Sequence, residues 1–324
     1  MAFNLKYAIE ASVFLWSPAD RVVSRYKDPI TYEEAYRQLG TVEGIEGIEL
    51  YYPYDFDNMK VIKELVDSKG LSVSAVGVGF FAEQKWQNGG VTSGDEKIRR
   101  EAIDISKKSM DIAEELNAKN LVIWPAHDGY DYYFHTDYQK KWDLMVNALR
   151  EIASYDKNIM VGIEYKCKEP RAHQIASNAS KALKIAKDTE LDNVGVVMDF
   201  GHSFLSGENP AEEIAYLMKE NKLFHLHSND NYGDWDYDML PGTVHFWENI
   251  EAFYWLHKLG YNGWINFDIF PTRFDSVKSS SLSIKHTKKI VDFVKELDEM
   301  VIENFLKNED ILKIHEYLWD RLFR

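Results

Sequence analysis

The chain has 324 residues, and 53 Asp and Glu against 38 Lys and Arg leave a formal charge of −15 at neutral pH. So acidic a chain is a poor partner for nucleic acid or an anionic membrane, which are bound through a clustered basic face. With 45% hydrophobic and 14% aromatic residues its usage is that of an ordinary globular protein, which excludes disorder and collagen-like repeats and supplies a large core.

A single cysteine, Cys167, rules out an intrachain disulfide framework. The first twenty residues lack the basic start, apolar run and small-residue cleavage site of an export signal. No stretch reaches the ~18 uninterrupted apolar residues of a membrane span. A cytoplasmic protein without a membrane partner is expected.

Short runs rich in Val, Ile and aromatic residues recur along the chain, most of them followed by helical periodicity. Strands are expected at residues 7–13, 47–52, 71–78, 120–125, 159–166, 194–200, 223–227 and 264–270. Between them, Thr31 with Glu34 and Ser93 with Glu96 fit the capping-box start of a helix, and Gly40, Gly70 and Gly260 stand where helices should stop. Ile30, Ala35 and Leu39 share one helical face; Ile98, Ala102, Ile105, Ile112, Ala113 and Leu116 share another.

Successive strand and helix units imply a parallel sheet, because parallel strands need crossover connections. Runs such as Leu121-Val122-Ile123-Trp124 and Val194-Gly195-Val196-Val197-Met198 are apolar on both alternations, as a sheet covered by helices requires. The first strand leads into Trp16-Ser17-Pro18 rather than a glycine-rich phosphate turn, and neither GxGxxG nor GxxxxGK[ST] occurs. An α/β protein is expected: a closed (β/α)8 TIM barrel over residues 1–298, with residues 299–324 as a C-terminal helical extension whose apolar content invites a packing or oligomer role.

In such a barrel the active site forms at the C-terminal ends of the strands. The fifth strand ends in Glu164-Tyr165-Lys166, the sixth in Asp199-Phe200-Gly201-His202, the seventh in His225-Leu226-His227-Ser228-Asn229-Asp230, and the eighth carries Asp268. Burying unpaired carboxylates is costly, so this gathering calls for a compensating divalent cation. Glu164, Asp199, His227 and Asp268 make a mostly hard donor set, suited to Mg²⁺, Mn²⁺ or Co²⁺. His202, Asp236 and Asp238 form a second set, giving a place for a second ion, since residues two apart in an extended segment point the same way. Alternatively, Asp236 and Asp238 belong with Asp230 and Asp234 to a solvated acidic loop. His225, deeper in its strand, reads as a satisfied structural histidine, and the first strand contributes Glu10. Trp124, Phe80, Phe81 and Trp86 are candidates to wall the cavity against water, although core packing is the leading reading for each of them but Trp124, which stands at a strand end.

Together these segments resemble the xylose isomerase-like superfamily of sugar isomerases and epimerases. Gly90-Val91-Thr92-Ser93-Gly94-Asp95 with Arg99 and Arg100, and Trp124-Pro125-Ala126-His127-Asp128-Gly129-Tyr130, agree with it, so that the likeness runs from about residue 45 to 285. The resemblance implies a dinuclear site: Glu164, Asp199, His227 and Asp268 hold a structural metal, Asp199 bridges, and His202, Asp236 and Asp238 hold a catalytic one. It implies that Lys166 polarises a substrate carbonyl, that Trp124, His127, Lys166 and His202 face the sugar, and that hydrogen moves between C1 and C2 by a metal-assisted hydride shift. Lys166, His127 and Asp236 are its catalytic candidates. In the epimerase branch the last ligand is typically glutamate, so Asp268 together with Lys166 favours an isomerase.

One departure bears on the substrate. Xylose isomerases carry a ring-opening histidine just beyond the second strand, where this chain reads Glu49-Leu50-Tyr51-Tyr52-Pro53-Tyr54-Asp55. A tyrosine with its ordinary pKa of about 10 does not replace it at neutral pH, and His127 is the candidate substitute. The strand ends lack a glycine-rich anion loop or an arginine cluster, which favours an unphosphorylated sugar; Arg171 and Arg273, in strand-end loops, are candidates for a phosphate or a sugar acid. The expected activity is aldose and ketose isomerisation of a small sugar by a homo-oligomer using one or two divalent ions. The alternatives are a ketose epimerase, a lyase or deglycosidase with His127 as base, and a non-enzymatic scaffold; the charge disfavours an endonuclease.

Overall fold

The computed structural model describes residues 3–16, 23–56, 59–169 and 171–323. Eight parallel strands, β1 (Lys6–Glu10), β2 (Gly47–Tyr52), β3 (Ser72–Val78), β4 (Asn120–Ile123), β5 (Met160–Glu164), β6 (Val194–Asp199), β7 (Leu223–His227) and β8 (Trp264–Phe267), pair in chain order and close by β1 against β8. This is the (β/α)8 TIM barrel expected from the sequence, with helices between the strands and a helical C-terminal extension.

Several strands are shorter than their apolar runs, each for a local reason. β1 stops at Glu10 because Ser12–Leu15 is already helical, and β4 stops ahead of Pro125, which has no N–H for a ladder. β6 stops at Asp199, which caps the helix Phe200–Leu205 by accepting from His202 N at 2.7 Å. Residues 17 and 18, which follow Trp16, lie outside the described residues.

Thr31 caps the helix Tyr32–Leu39, accepting from Glu34 N at 3.2 Å, but Ser93 is not the next cap. Asp95 takes that position before Glu96–Glu115 and accepts from Lys97 N at 2.8 Å. Ala35 and Leu39 are buried as expected, whereas Ile30 precedes its helix and is exposed; Ile98 and Ile105 are half-buried on a helix whose Ala102, Ile112 and Ala113 are fully inside.

Strand alternation divides the apolar residues into two cores. Outward-facing residues such as Ile48, Leu50, Leu226 and Phe267 join the helices in the main core. Inside the barrel Ala75, Val122 and Val197 form a small separate cluster. Glu49 stands level with Ala75, and His225 level with Val197. Two residues further along their strands, on the same inward face, come Tyr51, Gly77, Trp124, Asp199 and His227. A Cβ at Gly77 would collide with the Tyr51 ring, so glycine is what lets that ring lie across the barrel mouth.

Outside the barrel mouth, Gly129–Tyr130, Lys168–Glu169 and Ala172–Gln174 form a small antiparallel sheet. At the C-terminus, Glu299–Lys307 and Ile311–Leu322 pack on the barrel through buried Ile302 and a Trp247 to Trp319 ring contact at 5.7 Å. Met300, Ile311, Leu312 and Phe323 stay exposed. Among the described residues no helix is long and apolar enough to cross a membrane.

Candidate metal centre

Glu164, Asp199, His227 and Asp268 come from the ends of four consecutive strands, each one inward step beyond Gly162, Val197, His225 and Asn266. The alternation brings them together: one ligand atom from each lies within 4.8 Å of all the others. Glu164, Asp199 and His227 are buried and Asp268 is half-buried. His227 Nδ1 lies 3.3 Å from Glu164 Oε1, and Asn229 Nδ2 donates to Asp199 Oδ2 at 2.9 Å. A Cβ at Gly201 would overlap the Asn229 amide, so the Asp-Phe-Gly-His turn needs its glycine.

The electrostatics describe a cluster short of positive charge. Burial pushes Asp268 up to about 8, with Asp199 and Glu164 adding to the rise against the pull of His227. Burial also raises Asp199. Glu10 and Asp238 are held well above the carboxylate range by burial, by Asp268 and, for Asp238, by Asp236. Glu10 Oε1, Asp236 Oδ1, Asp268 Oδ1 and His202 Nδ1 are buried with no hydrogen-bond partner among the described residues. Convergent carboxylates forced to keep protons, with orphaned oxygens and one imidazole, fit a hard divalent cation.

The second set gathers beside the first. His202 Nδ1 lies 3.4 Å from Glu164 Oε1 and 3.8 Å from Asp199 Oδ1, and its Nε2 lies 3.2 Å from Asp236 Oδ2. Burial opposes its charge, but Asp199 and Asp236 prevail and raise His202 to about 9. Asp236 also meets Lys166 Nζ at 2.5 Å, and Lys166 and His202 overcome burial to hold its carboxyl far below the usual range. The segment is not extended as expected, because Asp238 has φ 46°, but the Asp238 carboxyl still feels Asp236, Asp268 and Asp199. Asp236 serves Lys166 and His202, while Asp238 Oδ1 accepts from Asn229 Nδ2 at 3.5 Å. Asp230 braces this loop, accepting from Val244 N at 2.8 Å and His245 N at 3.1 Å. Asp234 is exposed, so the solvated acidic loop describes that residue and not Asp236, whose side chain is 5% exposed.

Aromatic rings surround the approach. Lys166 Nζ sits 5.2 Å above the Trp124 ring, which Phe81 meets edge-on at 5.0 Å. Trp16 touches Tyr51, Tyr54, Phe81 and Phe270. Its Nε1 donates to Asp55 Oδ1 at 2.9 Å, and Asp55 Oδ2 accepts from Tyr51 N at 2.7 Å. Phe80 and Trp86 pack on each other in the core at 1% and 0% exposure, the core reading rather than the cavity wall. Burial, then Glu10 and Glu164, keep the Tyr51 phenol neutral. His127 is half-buried and makes no hydrogen bond or ion pair among the described residues; its neighbour Asp128 is the buried one, accepting from Gly90 N, Thr92 N and Thr92 Oγ1. Arg171 and Arg273 are exposed.

One buried residue was absent from both expected sets. Glu49 is wholly inside the barrel, and its Oε2 lies 2.9 Å from His225 Nε2 and 3.3 Å from His227 Nε2. Burial would raise it, but His227 and His225 bring its carboxyl down to about 2. His225 is only half satisfied: its Nδ1 is buried without a partner among the described residues. The alternation of Gly47, Glu49 and Tyr51 against Ile48 and Leu50 is the signal that places Glu49 inward.

The chain is 28% identical to the xylose isomerases of Thermus thermophilus and Thermus caldophilus over 221 residues, 65% of this chain and 56% of those enzymes. It thus spans little more than half the length of these relatives. Among solved structures it resembles an L-ribulose 3-epimerase, with a TM-score of 0.69 at 16% identity over 92% of this chain and 98% of that one. A D-tagatose 3-epimerase-like protein gives a TM-score of 0.67 at 22% identity over 89% and 98%. At these identities the likeness is one of fold. Residues 38–296, which hold every strand but the first and all the residues that converge at the barrel mouth except Glu10 and Trp16, match the family described as xylose isomerase-like TIM barrel, and the chain belongs to it.

Proposed function

We propose that the protein is a divalent-metal-dependent sugar isomerase that interconverts the aldose and ketose forms of an unphosphorylated sugar. The observation that carries this reading is the convergence of Glu164, Asp199, His227 and Asp268 within 4.8 Å, next to an ammonium group, Lys166 Nζ, at 8% side-chain exposure. Glu164, Asp199, His227 and Asp268 would hold one ion of Mg²⁺, Mn²⁺ or Co²⁺, and His202, Asp236 and Asp238, with Asp199 between the sets, would hold a second. A cation bound there polarises neighbouring sugar oxygens and lowers the barrier to hydrogen migration between the carbons that bear them.

The chain's own groups supply the rest. Lys166 donates to a sugar oxygen as it gains negative charge, and Asp236 fixes the ammonium in place. Trp124 Nε1, buried without a partner among the described residues, offers a donor to a sugar hydroxyl, while the Trp124 and Phe81 rings keep water from the reacting carbons. His202 holds Asp236 from the other side. His127, which has no partner among the described residues, would assist ring opening. Residues 1–298 form the catalytic barrel, and the exposed apolar residues of 299–324 support self-association of a cytoplasmic enzyme.

The fold neighbours, matched over 98% of their length, make C3 epimerisation of a ketose the second reading. The test is a screen of free sugars with protein reconstituted in Mn²⁺, Co²⁺ or Mg²⁺, using aldoses deuterated at C2 and ketoses deuterated at C3. Aldose to ketose conversion with the label retained supports the isomerase; inversion at C3 with wash-out to solvent supports the epimerase. No conversion of any sugar by cation-loaded protein overturns both.

A further inference from the structure

Below the cluster already described, the barrel holds a second group of ionisable side chains that the proposed chemistry does not use. Glu49, from β2, lies between His225 and His227, both from β7 on the opposite side of β1 and β8. All three are at 0% exposure. Their ligand atoms lie within 4.8 Å, close enough to hold an ion, but Glu49 Oε2 already meets one nitrogen of each imidazole. An ionised carboxylate only accepts hydrogen bonds, so each imidazole presents an N–H to Glu49. Its Oε2 takes His225 Nε2 at 2.9 Å and His227 Nε2 at 3.3 Å, and its Oε1 lies 3.2 Å from the same His227 nitrogen. This trio is a brace and leaves no bare nitrogen for an ion between its members.

The brace settles which nitrogen of His227 faces the other way. With Nε2 turned down to Glu49, Nδ1 is the atom that points at Glu164 Oε1, 3.3 Å away, and at the orphaned Glu10 Oε1, 3.8 Å away. A ligating imidazole needs a bare nitrogen, and a carboxylate on its far nitrogen fixes both tautomer and ring plane. His225 anchors Glu49 from one side, so the carboxylate cannot swing away to follow a rotating His227 ring.

We propose that Glu49 is a positioning residue: held by His225, it takes the Nε2–H of His227 and thereby presents Nδ1 to the divalent cation shared with Glu164, Asp199 and Asp268. This rests on the metal site of the preceding section and adds a supporting residue that lies outside both ligand sets.

The test has two arms. Calorimetric titration with Mn²⁺ compares the wild-type protein with Glu49→Gln, which removes the negative charge and puts an N–H₂ donor in place of one acceptor oxygen; melting of the cation-free proteins checks that the variant folds. The expected result is an affinity lower by about 10- to 100-fold. The second arm needs no altered Glu49. In Mg²⁺-loaded wild-type protein labelled with ¹⁵N-histidine, the ring signals lost in His227→Gln should show a protonated Nε2 and a bare Nδ1. Equal Mn²⁺ affinity in a folded Glu49→Gln overturns the proposal, and so does the reverse tautomer, whether or not Glu49→Gln folds. Wild-type protein that binds no Mn²⁺ overturns the metal site itself, an outcome distinct from either of these.

Discussion

Lys166 and Asp236 form an ion pair of 2.5 Å with side-chain exposures of only 8% and 5%. A pair so dry is costly to break from one side, because the surviving charge is left in a poor solvent. Lys166→Met keeps the length and loses the charge. The cation affinity of the variant should stay within a few-fold, while turnover falls by about 10²- to 10³-fold through loss of a donor to the developing oxyanion. Parallel metal titration and steady-state kinetics check this, and metal loss equal to the activity loss would contradict it.

Removing a ligand should act differently. Glu164→Gln or Asp199→Asn takes one negative charge from the four-residue set and should abolish cation uptake and turnover together. Metal content after dialysis, measured alongside isomerisation, is the check; full activity in either variant refutes the site.

The cation-free protein should lose stability as the solution becomes alkaline. Folded Asp268 keeps its proton to about pH 8, whereas its ordinary value is 3.8, so between these the folded chain binds more protons and stability falls as pH rises. His202, raised from 6.5 to about 9, works in the same direction: its contribution is complete below pH 6.5 and is lost as pH climbs through 9. Glu49, lowered from 4.5 to about 2, opposes them only below its ordinary value. Melting temperatures in chelator should therefore drop from pH 6.5 to 9, and Asp268→Asn should shallow the slope. A flat profile in the wild-type protein would contradict this.

Asp55 carries Trp16 at the rim of the mouth. Asp55→Ala leaves Tyr51 N–H and Trp16 Nε1 without their acceptor, at a cost of about 1–3 kcal/mol for a buried unpaired group. Chemical denaturation should show that loss. With Trp16 released, KM should rise more than kcat falls, while Mn²⁺ affinity is unchanged.

Most of the architecture was legible because covered parallel strands write themselves as apolar runs, and because four of them end in ionisable groups. Glu49 escaped for the opposite reason: it lies in the middle of Gly47-Ile48-Glu49-Leu50-Tyr51, and only the inward alternation reveals that it enters the barrel. The backbone of the Asp236 loop was not legible, since nothing in Asp-Tyr-Asp announces the left-handed conformation at Asp238. Ser93 lost its cap to Asp95, two residues nearer the first helical turn. Phe80 lies in the core and Phe81 at the rim, a single step along the chain apart, a division that composition alone does not reveal.

The small sheet of Gly129–Tyr130, Lys168–Glu169 and Ala172–Gln174 joins the segment after β4 to the segment after β5. Ile175 N donates to Asp128 O at 3.1 Å, and Lys166 N donates to Ala176 O at 3.1 Å, which extends the stitching to both sides of the approach to Trp124 and Lys166. These two connections therefore travel as one plate. Lengthening or shortening either of them alone would break the seam, so a change of length on that flank has to be made in matched pairs.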